Sequence, residues 1–272
     1  MAHYTGQFHP QQDYATQADM RSPRTILITG ASSGIGAALA RAYAAPGVVL
    51  YLGGRNPERL SAVAAACRER GAEVDAAAVD VTDREASARW ILDCDSTRPL
   101  DIVVANAGIS GGGAGAADPH LQTRRILATN IDGVVNTVLP ALDIMRARAR
   151  GQIAIMGSPA GFRGLPSAPA YSASKAAVRA WGEALRLRHA AEGVEICVIY
   201  PGFVESRMTE NNPFPMPFLM DADRAAAIIR RRLERNRGCI AFPLPTFLAA
   251  WLVGIMPLWL LGLLMRRVPS KE

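Results

Sequence analysis

Between Thr25 and Phe242, short apolar segments alternate with helical segments, and this alternation constrains the fold more than any other feature of the chain. The segments TILIT (25–29), VVLYL (48–52) and DIVVAN (101–106) are apolar along their interior. Strands of this kind are typical of a parallel sheet that helices cover on both faces. Because the crossovers between parallel strands are right-handed, the pattern predicts an α/β fold with a doubly wound parallel sheet in a single domain.

The chain divides into three parts. Residues 1–23 form a polar N-terminal tail without the apolar stretch of a secretory signal, 24–242 form the α/β domain, and 243–272 form an apolar helical extension. Further strands are predicted at 74–79, 152–158, 194–200 and 239–242, and helices at 34–45, 57–70, 83–94, 121–148, 170–191 and 221–236. The helix at 121–148 contains Pro140, which predicts an interruption there.

Composition argues against several classes of function. The net charge is +6, but the arginine-rich runs at 146–150 and 230–237 lack the interleaved aromatic residues and zinc-finger spacing of nucleic-acid-binding proteins. We interpret these runs as solvated helix faces and expect no nucleic-acid partner. The four cysteines form no CxxC pair and the four histidines lie in no metal-binding motif, so the sequence predicts buried, reduced thiols and no metal site.

The first strand leads into a glycine-rich turn, TGASSGIG (29–36), that opens a helix. Glycines at such a turn let the backbone approach a pyrophosphate, and the N-terminus of the helix supplies N–H donors and a positive dipole. The spacing is GxxxGxG. The candidate cofactor-binding residues of this turn are Gly30, Ser32, Ser33, Gly34, Ile35 and Gly36.

The turn resembles the cofactor motif of the short-chain dehydrogenase/reductase family, and the resemblance continues in order along 24–242. It implies a Rossmann fold, an NAD(P)-dependent oxidoreductase acting on CH–OH or C=O groups, and a homodimer or tetramer. It also implies that an acid contacts adenine, that an NAG motif braces the sheet, and that a PG motif holds the nicotinamide amide. The residues that match these three features are Asp80 and Val81; Asn106, Ala107 and Gly108; and Pro201, Gly202, Val204 and Ser206.

The end of the second strand predicts which dinucleotide is bound. A free ribose 2′-hydroxyl usually pairs with an acid at this position, and no Asp or Glu occurs between 48 and 57. Arg55 instead offers a charged partner for a 2′-phosphate. We therefore favour NADP(H) over NAD(H), although Ser33 stands where many NADP-dependent members of the family have a basic residue.

Four further residues match the family's catalytic tetrad: Asn130, Ser158, Tyr171 and Lys175. Tyr171 and Lys175 are four residues apart, so a helix places them on one face. The resemblance implies that Tyr171 is the acid/base, that Ser158 binds the carbonyl oxygen, and that Asn130 holds a water in a proton relay. Lys175 and the oxidised nicotinamide are expected to lower the pKa of the tyrosine.

Two further segments bear on the substrate. In the family, the region corresponding to residues 207–220 is the substrate lid, and here it includes Phe214, Met216, Phe218, Leu219 and Met220. An apolar lid indicates a small apolar substrate, with a lipid-like ketone or alcohol as one candidate, although the same residues are also compatible with packing on the sheet edge or a second subunit. The alternative to an enzyme is a non-enzymatic NADP(H)-binding protein that docks on a membrane or partner through its C-terminus.

The C-terminal extension is the largest departure from an ordinary member of the family. No residue between 238 and 265 is charged, and Arg266, Arg267 and Lys271 follow. Three interpretations stay open: a membrane-associated hairpin kinked at Pro257, helices packed on the active-site mouth or a dimer partner, and a transmembrane helix over 247–265. We expect a cytoplasmic protein that residues 243–267 attach to the inner face of a membrane.

Overall fold

The computed structural model describes residues 22–111, 118–210 and 215–265, which contain one sheet of seven parallel strands. The strands, in chain order, are β1 (Thr25–Thr29), β2 (Val49–Gly54), β3 (Glu73–Ala78), β4 (Ile102–Ala105), β5 (Gly151–Met156), β6 (Val194–Pro201) and β7 (Cys239–Phe242). Their order across the sheet is β3-β2-β1-β4-β5-β6-β7. The predicted doubly wound fold is confirmed, and the order reverses between β1 and β4, where such sheets bind their ligands at the carboxyl ends of the strands.

Helices cover both faces of the sheet. They are α1 (Gly34–Tyr43), α2 (Pro57–Arg68), α3 (Arg84–Thr97), α4 (Pro119–Leu127), α5 (Gly133–Ala147), α6 (Pro169–Arg188), α7 (Ala222–Leu233), α8 (Leu244–Ile255) and α9 (Leu258–Met265). One face packs against α1, α2 and α7, and the other against α3, α5 and α6. Along β1, Ile26 and Ile28 point into the first layer and Leu27 into the second, all fully buried. A strand covered on both sides therefore needs apolar residues throughout.

The interruption predicted at Pro140 is wrong. Pro140 lies inside α5, between the buried residues Val138 and Ala141, and the helix continues through it. The break lies earlier, at Ala128–Asp132, where a π turn separates α4 from α5. Such turns are frequent at functional sites, and this one contains Asn130.

The arginine-rich runs form ion pairs with acids. Arg148 Nη1 lies 2.7 Å from Asp95 Oδ1, Arg146 contacts Glu192, and Arg230 Nε lies 3.0 Å from Glu234 Oε1. All four cysteines are free thiols. The prediction that they are all buried is wrong for Cys239, which is exposed because it begins the edge strand β7.

The C-terminal extension forms two helices, α8 and α9, which meet at Met256 and Pro257. No helix in the described part of the chain is long and apolar enough to cross a bilayer. Three sequence-based predictions lie outside the described residues: the N-terminal tail over 1–21, Phe214 of the lid, and the basic residues after Met265.

Candidate active site

The turn between β1 and α1 brings backbone atoms from two segments into close contact. Gly30 and Gly34 have φ values of +66° and +54°, which side chains disfavour. A Cβ atom on Gly36 would lie 2.5 Å from Asn106 Nδ2 and well inside contact distance of Gly30 O. A Cβ atom on Gly30 would lie 2.7 Å from Ala107 Cα. The glycines of this turn are therefore required by the packing of the site itself.

Asn106 braces the turn from the end of β4. Its Nδ2 donates to Thr29 O at 3.0 Å and to Gly30 O at 3.1 Å. The Thr29 hydroxyl accepts from the backbone N–H groups of Asn106 and Ala107 at 3.1 and 3.2 Å, and donates to Val104 O at 3.3 Å. The bracing role that the resemblance implies for Asn106 is thus present, and Thr29 is a partner that the sequence analysis did not single out.

The segment after β6 reaches the same turn. A Cβ atom on Gly34 would lie 3.0 Å from Ser206 Cβ, so Ser206 sits directly over the start of α1. The Thr209 hydroxyl accepts from Ser206 N–H at 2.9 Å and lies 3.0 Å from Val204 O, to which it donates. Val204 is buried and pairs with Met220 in an isolated bridge. Thr209, another residue not singled out from the sequence, holds the predicted nicotinamide-binding loop in shape.

The carboxyl end of β2 forms the opposite end of the cleft. Arg55 follows the last residue of β2 and is exposed. Ser32 lies beside the preceding residue, since a Cβ atom on Gly54 would be 3.4 Å from Ser32 Oγ. Asp80 is exposed, and its Oδ1 accepts from Thr82 N–H and from the Thr82 hydroxyl at 3.0 and 2.9 Å. Val81 is buried against Gly133.

The catalytic candidates converge at the carboxyl ends of β4 and β5. Ser158 follows β5 at the start of a short 3₁₀ turn and is buried, whereas Tyr171 and Lys175 lie one turn apart on α6. Lys175 Nζ lies 5.8 Å from the centre of the Tyr171 ring and donates to Met156 O at 2.7 Å. A Cβ atom on Gly108 would lie 3.7 Å from Lys175 Nζ, which places the end of the NAG motif over the ammonium group.

Burial determines the protonation of this group. It raises the pKa of Tyr171 above the ordinary value of 10.0, and a hydrogen bond with Ser158 acts in the opposite direction. Burial also lowers the pKa of Lys175 to about 8. Burial therefore has the largest effect on the pKa of Tyr171 in the protein alone, and the lowering expected from Lys175 together with the oxidised nicotinamide stays a prediction. The phenol is neutral at physiological pH, which is the form that donates a proton.

Asn130 connects the loop after β4 to α6. Its Oδ1 accepts from Ile109 N–H at 2.8 Å, and its Nδ2 donates to Ile109 O at 2.9 Å and to Ser174 Oγ at 3.0 Å. Ser174, which is fully buried, in turn donates to Tyr171 O at 2.7 Å. These bonds use both amide hydrogens of Asn130, so its side chain braces the site. The proton relay through a water held by Asn130 stays a prediction. Ser174 is a further residue that the sequence analysis missed.

The remaining candidates lie at the same edge of the sheet. Ser33 occupies the N-cap position of α1 without a side-chain capping bond, and Ile35 packs on the core. Pro201 ends β6, and Gly202 N–H donates to Phe242 O at 2.7 Å. In the described part of the lid, Phe218 and Leu219 are exposed apolar residues.

The cleft fits a dinucleotide in two respects. The N-terminus of α1 opens onto Gly30 and Gly34, where backbone N–H groups without helical partners suit a pyrophosphate. Arg55 follows β2 on one side of this turn, and Lys175 lies near the end of β5 on the other side. Residues at the β1–α1 turn, at Ser206 and at Lys175 would hold the phosphates, the nicotinamide amide and the adjacent ribose.

Comparisons with known proteins identify the family. The family model described as short chain dehydrogenase matches residues 24–214. An uncharacterised oxidoreductase of Myxococcus xanthus is 40% identical over 223 residues, which are 82% of this chain and 88% of that protein. A short-chain dehydrogenase from Sphingobium yanoikuyae in complex with NADPH has a TM-score of 0.74 and 25% identity, covering 91% of this chain and 97% of that one.

An alcohol dehydrogenase from the archaeon Thermococcus sibiricus, complexed with 5-hydroxy-NADP, has a TM-score of 0.68 and 28% identity. The match covers 78% of this chain and 90% of that protein. The sequence match and the arrangement of the cleft lead to the same conclusion. The chain is an oxidoreductase that belongs to the short-chain dehydrogenase/reductase family.

Proposed function

We propose that the protein is an NADP(H)-dependent carbonyl reductase, or secondary-alcohol dehydrogenase in the reverse direction, that acts on an apolar and lipid-like ketone or alcohol. The observation that carries this proposal is the convergence of Ser158, Tyr171 and Lys175 beside the β1–α1 turn, with a neutral phenol at its centre. A neutral phenol favours reduction of a carbonyl, because a carbonyl that gains a hydride must also gain a proton.

Each side chain has a distinct task in this proposal. Tyr171 donates its phenolic proton to the carbonyl oxygen, and the Ser158 hydroxyl orients that oxygen and stabilises its developing charge. Lys175 holds the ribose hydroxyls next to the nicotinamide and keeps a positive charge near the phenol. Asn130 and Ser174 keep α6 and the loop after β4 in register. When bound, NADPH supplies the hydride.

The preference for NADP(H) rests on Arg55. The fold accepts either dinucleotide, so the choice depends on the side chains at the end of β2. Arg55 is exposed at that position, and Ser32 Oγ lies close to the backbone of Gly54. A guanidinium pairs well with a phosphate, while no acid between residues 48 and 57 could receive a ribose 2′-hydroxyl.

The lid supports an apolar substrate. Phe218, Leu219 and Met208 are large apolar residues with substantial exposure, and all three lie in sequence between Val204 and Met220, the two residues of the isolated bridge. Exposed apolar side chains on a segment that covers a catalytic cleft favour contact with apolar substrate atoms.

The test is NADPH consumption by the purified protein with ketones that range from small polar ones to long-chain acyl and steroid-like ones. We expect kcat/KM to rise with apolar size and Tyr171→Phe to lose about a thousandfold in kcat. The matched control is Tyr43→Phe, because the buried Tyr43 hydroxyl has no hydrogen-bond partner in the described structure, and it should keep wild-type activity. Equal rates for Tyr171→Phe and wild type would contradict the mechanism, and faster turnover of small polar ketones would contradict the apolar substrate.

A further inference from the structure

The helices α8 and α9 expose a continuous row of large apolar side chains. On α8, Leu244, Leu248, Leu252 and Ile255 are all exposed, and their spacing of four, four and three residues places them on one face. Ile255 is 66% exposed. Such a face is unusual on a protein surface unless something covers it.

The row continues across the break at Pro257. Leu258 and Trp259, at the start of α9, are 75% and 70% exposed, and Trp251 on α8 is 46% exposed. We call the exposed apolar side chains of α8 and α9 the apolar platform. Tryptophan and leucine on one side of a short helix are the residues that favour the boundary between lipid headgroups and acyl chains.

The opposite face of α8 is attached to the folded domain. The Phe247 ring meets the Phe162 ring edge-on with centroids 5.3 Å apart, and a Cβ atom on Gly254 would lie 3.1 Å from Phe162 O. Arg163 Nη1 donates to Gly254 O at 3.4 Å. Because the domain already holds this face of α8, the helix lies on the protein surface and presents its other face outward.

Charge identifies what covers the platform. The charged residues after Gly238 are Arg266, Arg267, Lys271 and Glu272, three cations and one acid, and Arg266 and Arg267 follow directly after the last residue of α9. A second copy of this chain packed on the same face would bring like charges together. An anionic lipid surface offers opposite charge to these cations and an apolar interior to the platform.

We propose that the apolar platform docks on the surface of an anionic lipid bilayer, with α8 parallel to the membrane plane. The docked helix begins beside the catalytic cleft, since a Cβ atom on Gly202 would lie 2.8 Å from Pro243 Cδ. Docking therefore places the PG motif, and the start of the lid that follows it in sequence, next to the bilayer. Delivery of an apolar substrate from the membrane rests on the proposed function, whereas the docking itself does not.

The test is co-sedimentation of the full chain with vesicles of phosphatidylcholine alone or mixed with phosphatidylglycerol. We expect at least tenfold tighter binding to the anionic vesicles, and weaker binding as salt is raised. The double variant Ile255→Glu/Leu258→Glu should lose at least tenfold in this affinity. Leu187→Glu, which adds one negative charge at an 81% exposed leucine on α6, should bind like wild type, and each single variant, Ile255→Glu or Leu258→Glu, should bind more weakly than this matched control.

Three outcomes would overturn the proposal. The first is no binding of wild type to either vesicle, and the second is equal binding of the double variant and wild type. The third is a wild-type dimer that the double variant converts to a monomer in sedimentation velocity without lipid, because the platform then contacts a second copy. NADPH binding by the double variant shows that it is folded.

The proposed function is tested separately. Tyr171→Phe should bind vesicles like wild type, and the double variant should reduce a water-soluble ketone at the wild-type rate. If wild type reduces no ketone but binds anionic vesicles as described, the proposed function fails while the docking stands.

Discussion

The β1–α1 turn and the apolar platform are both built from small and apolar residues, yet the two regions depend on them in opposite ways. At the turn, a single added Cβ on Gly36 would meet backbone and side-chain atoms of Gly30 and Asn106. On α9, a Cβ on Gly262 would meet nothing within 4 Å. The turn is therefore specified by contacts within the chain, whereas no neighbouring atom in the described part of the chain constrains α9 at Gly262.

Paired glycine substitutions test this difference directly. Gly36→Ala forces atoms apart at the turn, so we expect a loss of about 3 kcal/mol in the free energy of unfolding and at least a hundredfold loss of NADPH affinity. Gly262→Ala replaces another helical glycine in open space and should change stability by less than about 1 kcal/mol, in the stabilising direction. Urea unfolding and NADPH titration measure both effects, and equal stability losses would contradict the comparison.

We expect the exposed Arg55, after β2, to affect the preference for NADPH through its charge alone. Arg55→Asp should reverse the preference for NADPH over NADH by about thirtyfold in kcat/KM, because a charge-assisted bond to the 2′-phosphate becomes a repulsion. Its stability should change by less than about 0.5 kcal/mol, since Arg55 is exposed. Arg59→Asp, an exposed arginine on the next helix, serves as the control. An unchanged NADPH/NADH ratio in Arg55→Asp would remove Arg55 from the cofactor site.

The predicted catalytic edge of the sheet differs from the β1–α1 turn and from the apolar platform because buried hydrogen bonds surround Asn130. Ser174→Ala removes the acceptor for Asn130 Nδ2 and the donor to Tyr171 O, so we expect about a tenfold loss in kcat and a loss of 1–2 kcal/mol, roughly, in stability. Ser87→Ala removes a buried hydroxyl without a partner in the described structure and should be neutral. If Ser174→Ala lowers stability but leaves kcat unchanged, Ser174 serves the fold and not the site.

The smallest expected effect is a pH dependence. Since burial lowers the pKa of Lys175 to about 8, its ammonium form predominates below that pH and the neutral amine above it. NADPH affinity should therefore fall about fivefold between pH 7 and pH 9, roughly in step with the loss of the ammonium. Lys175→Met should bind more weakly and show no such fall. The same decline in the variant would assign the titration to another group.

The same pKa shift affects stability with a defined sign. Between about 8 and the ordinary value of 10.5, the unfolded chain retains a proton on Lys175 that the folded chain has released. The free energy of unfolding therefore gains a contribution that rises with pH in this window. Comparison of wild type with Lys175→Met in urea at pH 7 and pH 10 isolates this contribution.

Most of the fold was predictable because its signals are local. Strands buried on both faces must be apolar throughout, and Asn56 and Asp83 cap the helices that follow them. The glycines at the β1–α1 turn identified the cofactor edge, because backbone with positive φ leaves few other residues possible.

Other features depended on contacts between distant segments. The π turn at Ala128–Asp132 has no periodicity that separates it from the helices around it, so Pro140 was a misleading signal. Ser174 is one of many serines, and only its distances to Asn130 and to the backbone of Tyr171 give it a role. The raised pKa of Tyr171 likewise depends on burial, which residue spacing does not measure.

The residues alone thus established the strand pattern, the glycine turn and the uncharged C-terminus, because each depends on residue type at short spacing. The catalytic set was predicted from the resemblance to the family. The tertiary structure decided which side of α8 faces the domain, which hydroxyls support Asn130 and Ser206, and how burial changes the pKa of Tyr171 and Lys175. These properties arise from distances between segments far apart in the chain, and desolvation and hydrogen bonding both depend on those distances.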